Sequence, residues 1–279
     1  MGLSQNNLVR FFSADKVINS RVMNRMGAQV ARTVLARTLY NLRAPKVDPS
    51  VAEYVATLRD EGSVTIPNFL SPEALEDVTR RTYELMEREQ SLVREIHHGP
   101  NTLRVLTQRE TPIAGELKRF YDDPRLRAIF TAVERTPNAY DHCHKAIESL
   151  EQGQNQEIED PETKLHSDIF FSTHKAWLYL TDVTPVSAPL VYVNRSRGIT
   201  PKALGYIYRE SCNGNAGSRR ITPQELEDLG LTEKVFAVQR NTLVVADTHG
   251  YHRRLLGEPG EKRLALHASL RGNPFAWWR

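Results

Sequence analysis

The chain of 279 residues is 40% hydrophobic and 25% charged, an ordinary globular composition with length enough for one large domain. Its two cysteines, Cys143 and Cys212, cannot build a disulfide framework and neither belongs to a C-x-x-C pair, so a reducing, cytoplasmic setting is the expectation. No run approaches the roughly eighteen apolar residues of a bilayer span, so no transmembrane segment is expected.

The net charge of +3 is unevenly spread. Residues 1–46 hold eight Lys and Arg against Asp15 alone, a net +7, which leaves −4 for the remainder. Apolar residues such as Phe11, Val17, Val22, Met26, Val30 and Val34 are spaced through this arm, which suits an amphipathic helix. Such a helix could make peripheral contact with an anionic membrane, serve as a targeting peptide, or pack on the body or on a second copy in a homodimer. The packed extension is the favoured reading. Prolines 45 and 49 end the arm, because each lacks a donor and turns its predecessor away from helix. Residues 1–46 are therefore read as a basic helical extension and 47–279 as one domain.

Residues 50–60 read as a helix stopped by Gly62, and 63–67 as a short strand. Ser71 before Pro72 supplies a cap and a first-turn proline, opening a helix to about Glu89. Residues 101–108 alternate as a strand, and 113–135 carry a helical pattern interrupted at Asp122-Asp123-Pro124. After Pro137 come short extended runs at 139–145, 164–171, 176–180, 190–193, 236–238, 242–246 and 263–270, the pattern of a sandwich or barrel. Residues 199–231 interrupt them as an insert with helical pieces at 201–211 and 223–229 joined by a Gly/Asn-rich connection, which suits a lid. The expected fold is mainly β with flanking helices, an α+β arrangement with an N-terminal helical layer.

The chemistry starts at Leu165-His166-Ser167-Asp168. In an extended strand of period two, His166 and Asp168 leave the same face. An imidazole and a carboxylate side by side supply two parts of a 2-His-1-carboxylate triad, which holds non-haem Fe(II) and leaves other positions open. Alone, such a pair is more often an ordinary polar contact, so its weight depends on a third ligand. Residues 242–254 present a buried strand ending in a turn with His249 and His252. Eleven residues after His252, Arg263 opens a strand whose alternation puts Arg263, Ala265, His267 and Ser269 on one face and Leu264, Leu266 and Leu270 on the other. The polar set suits the lumen of a barrel that holds a polar co-substrate, with Arg263 offering its planar fork to a carboxylate.

The order His166-Ser-Asp168, Lys175-Ala-Trp177-Leu-Tyr179-Leu-Thr-Asp182, Ala188-Pro189-Leu190, Asp247-Thr-His-Gly-Tyr-His252 and Arg263 resembles the phytanoyl-CoA dioxygenase family of Fe(II)/2-oxoglutarate-dependent oxygenases. The likeness spans roughly residues 50–275, with its defining motifs in 165–265. It implies a double-stranded β-helix, a cupin-like jelly roll. It implies His166, Asp168 and His252 as iron ligands, Arg263 on the distal carboxylate of 2-oxoglutarate, and Trp177 beside the co-substrate with Lys175 and Tyr179 on its strand face. Spacing to Arg263 favours His252 over His249. The cofactors implied are Fe(II), 2-oxoglutarate and O2, with ascorbate helpful in vitro, and the reaction is hydroxylation, desaturation or cyclisation of a small organic molecule such as a lipid or natural-product intermediate. Halogenation is not expected, since related halogenases replace the carboxylate with a small residue. The chain departs from the family at Asn194-Arg195-Ser196-Arg197, where a Pro-Gly-Ser-His run is usual. That loop is expected near the mouth, and its arginines take phytanoyl-CoA out of consideration as substrate.

Other features read more plainly. Asp141-His142-Cys143-His144 alternates faces in a strand, which spoils a four-ligand site. His97-His98 precedes a turn and is expected to be solvated. Tyr206, Tyr208, Arg219 and Arg220 lie on the lid, where they either read substrate or are exposed loop residues. A non-oxidative metal-binding cupin-like protein, an isomerase or a degenerate binding module, is the main rival, and Arg263 and Trp177 argue against it. No aromatic-rich basic groove accompanies the arm, so no nucleic-acid partner is expected.

Overall fold

The computed structural model describes residues 11–43, 45–135, 138–155, 158–214 and 218–275. The basic arm divides into α1 (Arg21–Arg25) and α2 (Ala28–Leu42), hinged at Gly27, whose φ of 82° falls in the left-handed region that glycine enters without a Cβ penalty. Ala14, Leu35, Ala36 and Leu39 pack against Ile169, Phe170, Phe171 and Phe275. Arg32 of α2 is fully buried, its guanidinium 4.0 Å above the Phe170 ring and 2.7 Å from the Asp15 carbonyl. Burial pushes its pKa down to about 10. The arm thus covers the body, and no helix among the described residues is long and apolar enough to cross a membrane.

Helices α3 (Ala52–Glu61), α4 (Pro72–Arg88), the one-turn α5 (Ile113–Glu116) and α6 (Lys118–Tyr121), and α7 (Pro124–Glu134) follow. Ser71 and Asp123 cap α4 and α7 by accepting from Ala74 N and Arg125 N. These helices cover one face of a large sheet. Leu58, Val78, Leu126 and Phe130 share a core with Leu178, Leu243, Val245 and Leu266, each contributing roughly 1.5–3 kcal/mol by burial.

The strands are β1 (Ser63–Ile66), β2 (Arg94–His98), β3 (Asn101–Thr107), β4 (His144–Glu151), β5 (His166–Ser167), β6 (His174–Tyr179), β7 (Leu190–Val193), β8 (Arg219–Arg220), β9 (Glu233–Val235), β10 (Thr242–Asp247), β11 (His252–Arg254) and β12 (Lys262–Ser269). They form two antiparallel sheets, one ordered β1-β10-β6-β12-β4-β3-β2 and the other β8-β5-β11-β7-β9. The insert supplies α8 (Pro201–Cys212), β8 and α9 (Pro223–Asp228). The fold is α+β, two antiparallel sheets flanked by N-terminal helices. Among the described residues no ladder joins the sheets, so hydrogen bonding does not close a barrel.

Alternation holds on both faces of β12. Leu264, Leu266 and Ala268 point into the helix-covered core, whereas Ala265 joins an inner cluster with Tyr179, Tyr192, Phe236 and Val244. Several expected strands move. Residues 139–142 form a 3-10 turn entered through Asn138 at φ 57°, and β4 runs from His144 to Glu151. Of 164–171 only His166–Ser167 pairs as a strand, because Asp168 N leaves that ladder for the Thr248 carbonyl. The run expected at 236–238 lies at Glu233–Val235, with Val238 bridging Val183 alone. His97 and His98, expected before a turn, end β2.

Candidate active site

His166 on β5 and His252 on β11 face each other directly in antiparallel register, their ring centroids 4.5 Å apart. The hydrogen bond from Asp168 N to Thr248 O, 3.0 Å long, brings the carboxylate to the same point. Asp168 Oδ1 lies 3.6 Å from Nε2 of each histidine, and the three ligand atoms fall within 4.8 Å of one another. Among the described residues this is the one His/Cys/Asp/Glu group that converges so.

The donor chemistry fits a divalent metal. His166 Nδ1–H donates to the Lys164 carbonyl at 2.8 Å and His252 Nδ1–H to the Gly250 carbonyl at 3.0 Å. Because a carbonyl only accepts, each Nδ1 carries the proton and each Nε2 lone pair is left facing the shared point. Burial, followed by the neighbouring His252, lowers the His166 pKa and keeps the ring neutral. Burial pushes the Asp168 carboxyl up, but Lys175 and His252 together outweigh it and hold it ionised, well below the usual carboxylate range. Lys175 Nζ is 2.6 Å from Asp168 Oδ2, so this lysine touches the triad carboxylate.

The turn before His252 is held from behind. Asp247 Oδ1 accepts from Thr173 N at 2.9 Å and His249 N at 3.1 Å, and Oδ2 from Arg197 at 3.0 Å. Tyr192 donates its hydroxyl to the Asp247 carbonyl at 2.9 Å, and Ser196 Oγ accepts from Tyr251 N at 2.7 Å. Gly250 is obligatory here, since a Cβ would stand 2.0 Å from the Tyr192 hydroxyl. The Asn194–Arg197 departure therefore braces this turn. Arg197 is buried on Asp247, and Arg195 pairs with Asp60 and Glu61 at 2.8 and 2.7 Å. The loop was expected near the mouth; both of its arginines are committed to ion pairs with the body.

Arg263, on the inner face of β12, has one recorded polar partner among the described residues, the Tyr179 hydroxyl at 3.3 Å. Burial pulls its pKa below the ordinary guanidinium value. Trp177 lies beside His267, ring centroids 5.5 Å apart, and donates Nε1–H to Glu148 at 3.2 Å. His267 Nδ1 lies 3.3 Å from the same carboxylate, and burial pushes its pKa down to about 4.

The remaining histidines have other partners. His249 Nδ1–H donates to the Ile169 carbonyl at 2.9 Å, and burial lowers its pKa to about 4. His174 Nδ1 contacts Glu134 at 2.8 Å, with Nε2 3.8 Å from Asp247. Asp141 pairs with Arg127 at 2.6 Å, and burial raises the Cys143 thiol. On the insert, Tyr206 bonds Asp228 and Tyr208 bonds the Arg25 carbonyl, whereas Arg219 and Arg220 form β8 against β5. Arg254 was not anticipated. Two residues beyond His252, it reaches Asp160 at 2.5 Å, where Asn101 also donates at 2.8 Å. The signal was its position in phase with His252 on a strand.

No protein-family model and no curated protein matches the chain. Solved structures do. The non-heme alpha ketoglutarate dependent epimerase SnoN from nogalamycin biosynthesis matches at 15% identity over 80% of this chain and 83% of that one, with a TM-score of 0.58. EctD from S. alaskensis with bound Fe matches at 11% identity over 81% and 79%, with a TM-score of 0.52. The carbocyclase SnoK from nogalamycin biosynthesis matches at 16% identity over 78% and 82%, with a TM-score of 0.50. At these identities the likeness is one of fold.

Proposed function

We propose that this chain is an Fe(II)- and 2-oxoglutarate-dependent oxygenase of the phytanoyl-CoA dioxygenase branch, with a double-stranded β-helix core, that oxidises a C–H bond of a small organic molecule. The observation that carries the reading is Arg263, a partly buried cation whose polar partner among the described residues is a neutral hydroxyl, on a sheet face shared with Trp177 and with Lys175, which touches Asp168. Leaving a partly desolvated guanidinium without an anion is unfavourable, and a dicarboxylate co-substrate supplies one.

His166 Nε2, Asp168 Oδ1 and His252 Nε2 would hold the metal from one side and leave the other for ligands. The oxidising power comes from iron, 2-oxoglutarate and O2 once bound. Arg263 with the Tyr179 hydroxyl would fix the distal carboxylate, with Trp177 and His267 on the same sheet face. Residues 47–279 would form the catalytic domain, the 199–231 insert its lid and residues 1–46 an extension over it. Hydroxylation is the simplest outcome. The epimerase and carbocyclase named among the neighbours favour epimerisation and ring closure as further outcomes of the same C–H oxidation. A non-oxidative metal-binding module would have no use for the Arg263–Tyr179 pair.

Anaerobic protein loaded with Fe(II) and 2-oxoglutarate, with ascorbate to keep the iron reduced, should show a weak visible charge-transfer band. Arg263→Ala should raise the 2-oxoglutarate needed for half of that band by about 10–100-fold. Absence of the band in metal-loaded protein, or its persistence in the Asp168→Ala/His252→Ala double variant, overturns the reading.

A further inference from the structure

We propose that helices α1 and α2 of the basic arm seat the protein on an anionic phospholipid surface. The proposal is independent of the oxygenase reading, because it rests on the outward faces of the arm and not on the triad.

A surface helix ordinarily buries its apolar stripe and turns its polar residues to water. The arm does the reverse. The buried positions of α2 are Gln29, Arg32, Thr33 and Ala36, and α1 buries Asn24 beside Met23. These polar groups are satisfied inside the fold. Gln29 Oε1 accepts from Ile18 N at 3.1 Å, Thr33 donates its hydroxyl to the Gln29 carbonyl at 2.8 Å, and Asn24 donates to the Ile18 and Ser211 carbonyls at 2.8 and 2.9 Å. The solvent side carries the apolar residues instead. Every exposed residue of α2, namely Ala31, Val34, Thr38, Asn41 and Leu42, is uncharged. Ala31, Val34, Thr38 and Leu42 recur at intervals of three and four and so form one stripe along the helix. On α1, Val22 and Met26 stand one turn apart and face solvent as well. Val22, Met26 and Leu42 are 69%, 78% and 71% exposed, whereas Arg32 is 0% exposed. Single exposed apolar side chains are ordinary, but a row of them over an inward polar face marks a contact surface.

The charges around this row select its occupant. No acidic residue occurs between Asp15 and Asp48. Arg21 and Arg25 are exposed beside Val22 and Met26, and Lys46 is exposed beyond the end of α2. None of the three forms an ion pair among the described residues, unlike Arg80 on Glu84 and Arg253 on Glu233. A second copy laid antiparallel along α2 would set Arg21 and Arg25 near the Lys46 end of the other arm. A parallel arrangement would set them against their own counterparts, and in neither does an arm offer an acid to receive them. An anionic bilayer supplies negative charge at its surface and apolar depth just beneath the headgroups. Val22, Met26, Val34 and Leu42 suit that depth, and Arg21, Arg25 and Lys46 suit the surface.

The test is flotation of the full chain with phosphatidylcholine vesicles containing about 30% phosphatidylglycerol, and with vesicles of phosphatidylcholine alone. Binding to the anionic vesicles should be stronger by about tenfold or more, and about 0.5 M NaCl should release most of it. Val34→Gln/Leu42→Gln and Arg21→Gln/Arg25→Gln should each weaken it by about tenfold, with the urea midpoint unchanged because these side chains are exposed. Tyr83→Gln, which alters an exposed ring on α4, should leave vesicle binding as it is. No binding to the anionic vesicles, equal binding to the neutral ones, undiminished binding in either folded double variant, or an equal loss in Tyr83→Gln overturns the proposal. A concentration-dependent dimer in light scattering that Val34→Gln/Leu42→Gln dissolves also overturns it, since the row would then belong to a second copy.

Discussion

Lys175 Nζ lies 2.6 Å from Asp168 Oδ2, whereas His166 and His252 both face the other oxygen, Oδ1, at 3.6 Å. One carboxylate is thus divided between a lysine and the point where a metal would sit. The lysine restrains Asp168 to presenting a single oxygen, which keeps coordination positions open.

Lys175→Met pits two effects against each other. Losing an orienting contact to a metal ligand typically weakens affinity by about 10–100-fold, or roughly 1.4–2.7 kcal/mol. The ammonium is 2.6 Å from the same carboxylate, and a positive charge close to a divalent cation, at an effective dielectric near 20, would repel it by several kcal/mol. The charge effect is larger. Lys175→Met should therefore bind Zn(II) or Fe(II) about tenfold more tightly in a competition titration, yet bind 2-oxoglutarate more weakly because Asp168 is free to use both oxygens. Weaker metal binding in the variant would mean that orientation dominates.

Arg197 and Asp247 form a buried ion pair behind the His252 turn. Arg197→Met leaves the carboxylate uncompensated and should cost about 3–5 kcal/mol in urea unfolding. Metal affinity should drop with it, because the same turn carries the Gly250 carbonyl that fixes His252. Arg195→Ala, on the exposed pair with Asp60, should leave the urea midpoint unchanged. Equal losses at the two positions would contradict this division.

His249 and His267 are both pushed down to about 4 by burial. Between that value and the unfolded value near 6.5 the unfolded chain holds protons that the folded chain does not. Stability is then complete above about pH 6.5 and declines as pH falls toward 4, by roughly 3 kcal/mol for each histidine. Urea titrations at pH 7.5, 6 and 5 should follow that slope, and His267→Gln should flatten part of it. A slope unchanged in His267→Gln would exclude that histidine as a source.

Much of the site was legible because strand periodicity is strict. Trp177 with Tyr179 and Arg263 with His267 each fall on one face, as a repeat of two requires, whereas Asp168 meets His166 although it has left the ladder. The pairing of His166 against His252 was not legible, since β5 and β11 are only two and three residues long and their partner registers are set by tertiary contact. Lys175 could be placed on the correct face, but whether it served the co-substrate or Asp168 depended on where the carboxylate ended, outside its own ladder. The Asn194–Arg197 loop was misjudged for a related reason. Nothing local to Arg197 announces a buried aspartate fifty residues further on.

The N-terminal arm joins distant parts of the chain. Lys16 meets Ser218 across 202 residues, Arg271 donates to the Ala14 carbonyl across 257, and Asn273 to the Phe12 carbonyl across 261. During synthesis the arm emerges before any of these partners, so its apolar residues wait undocked until nearly all the rest has been made. The sheets can bring the two histidines and the aspartate together before that docking is complete. The metal point would then be assembled before the two ends of the chain meet.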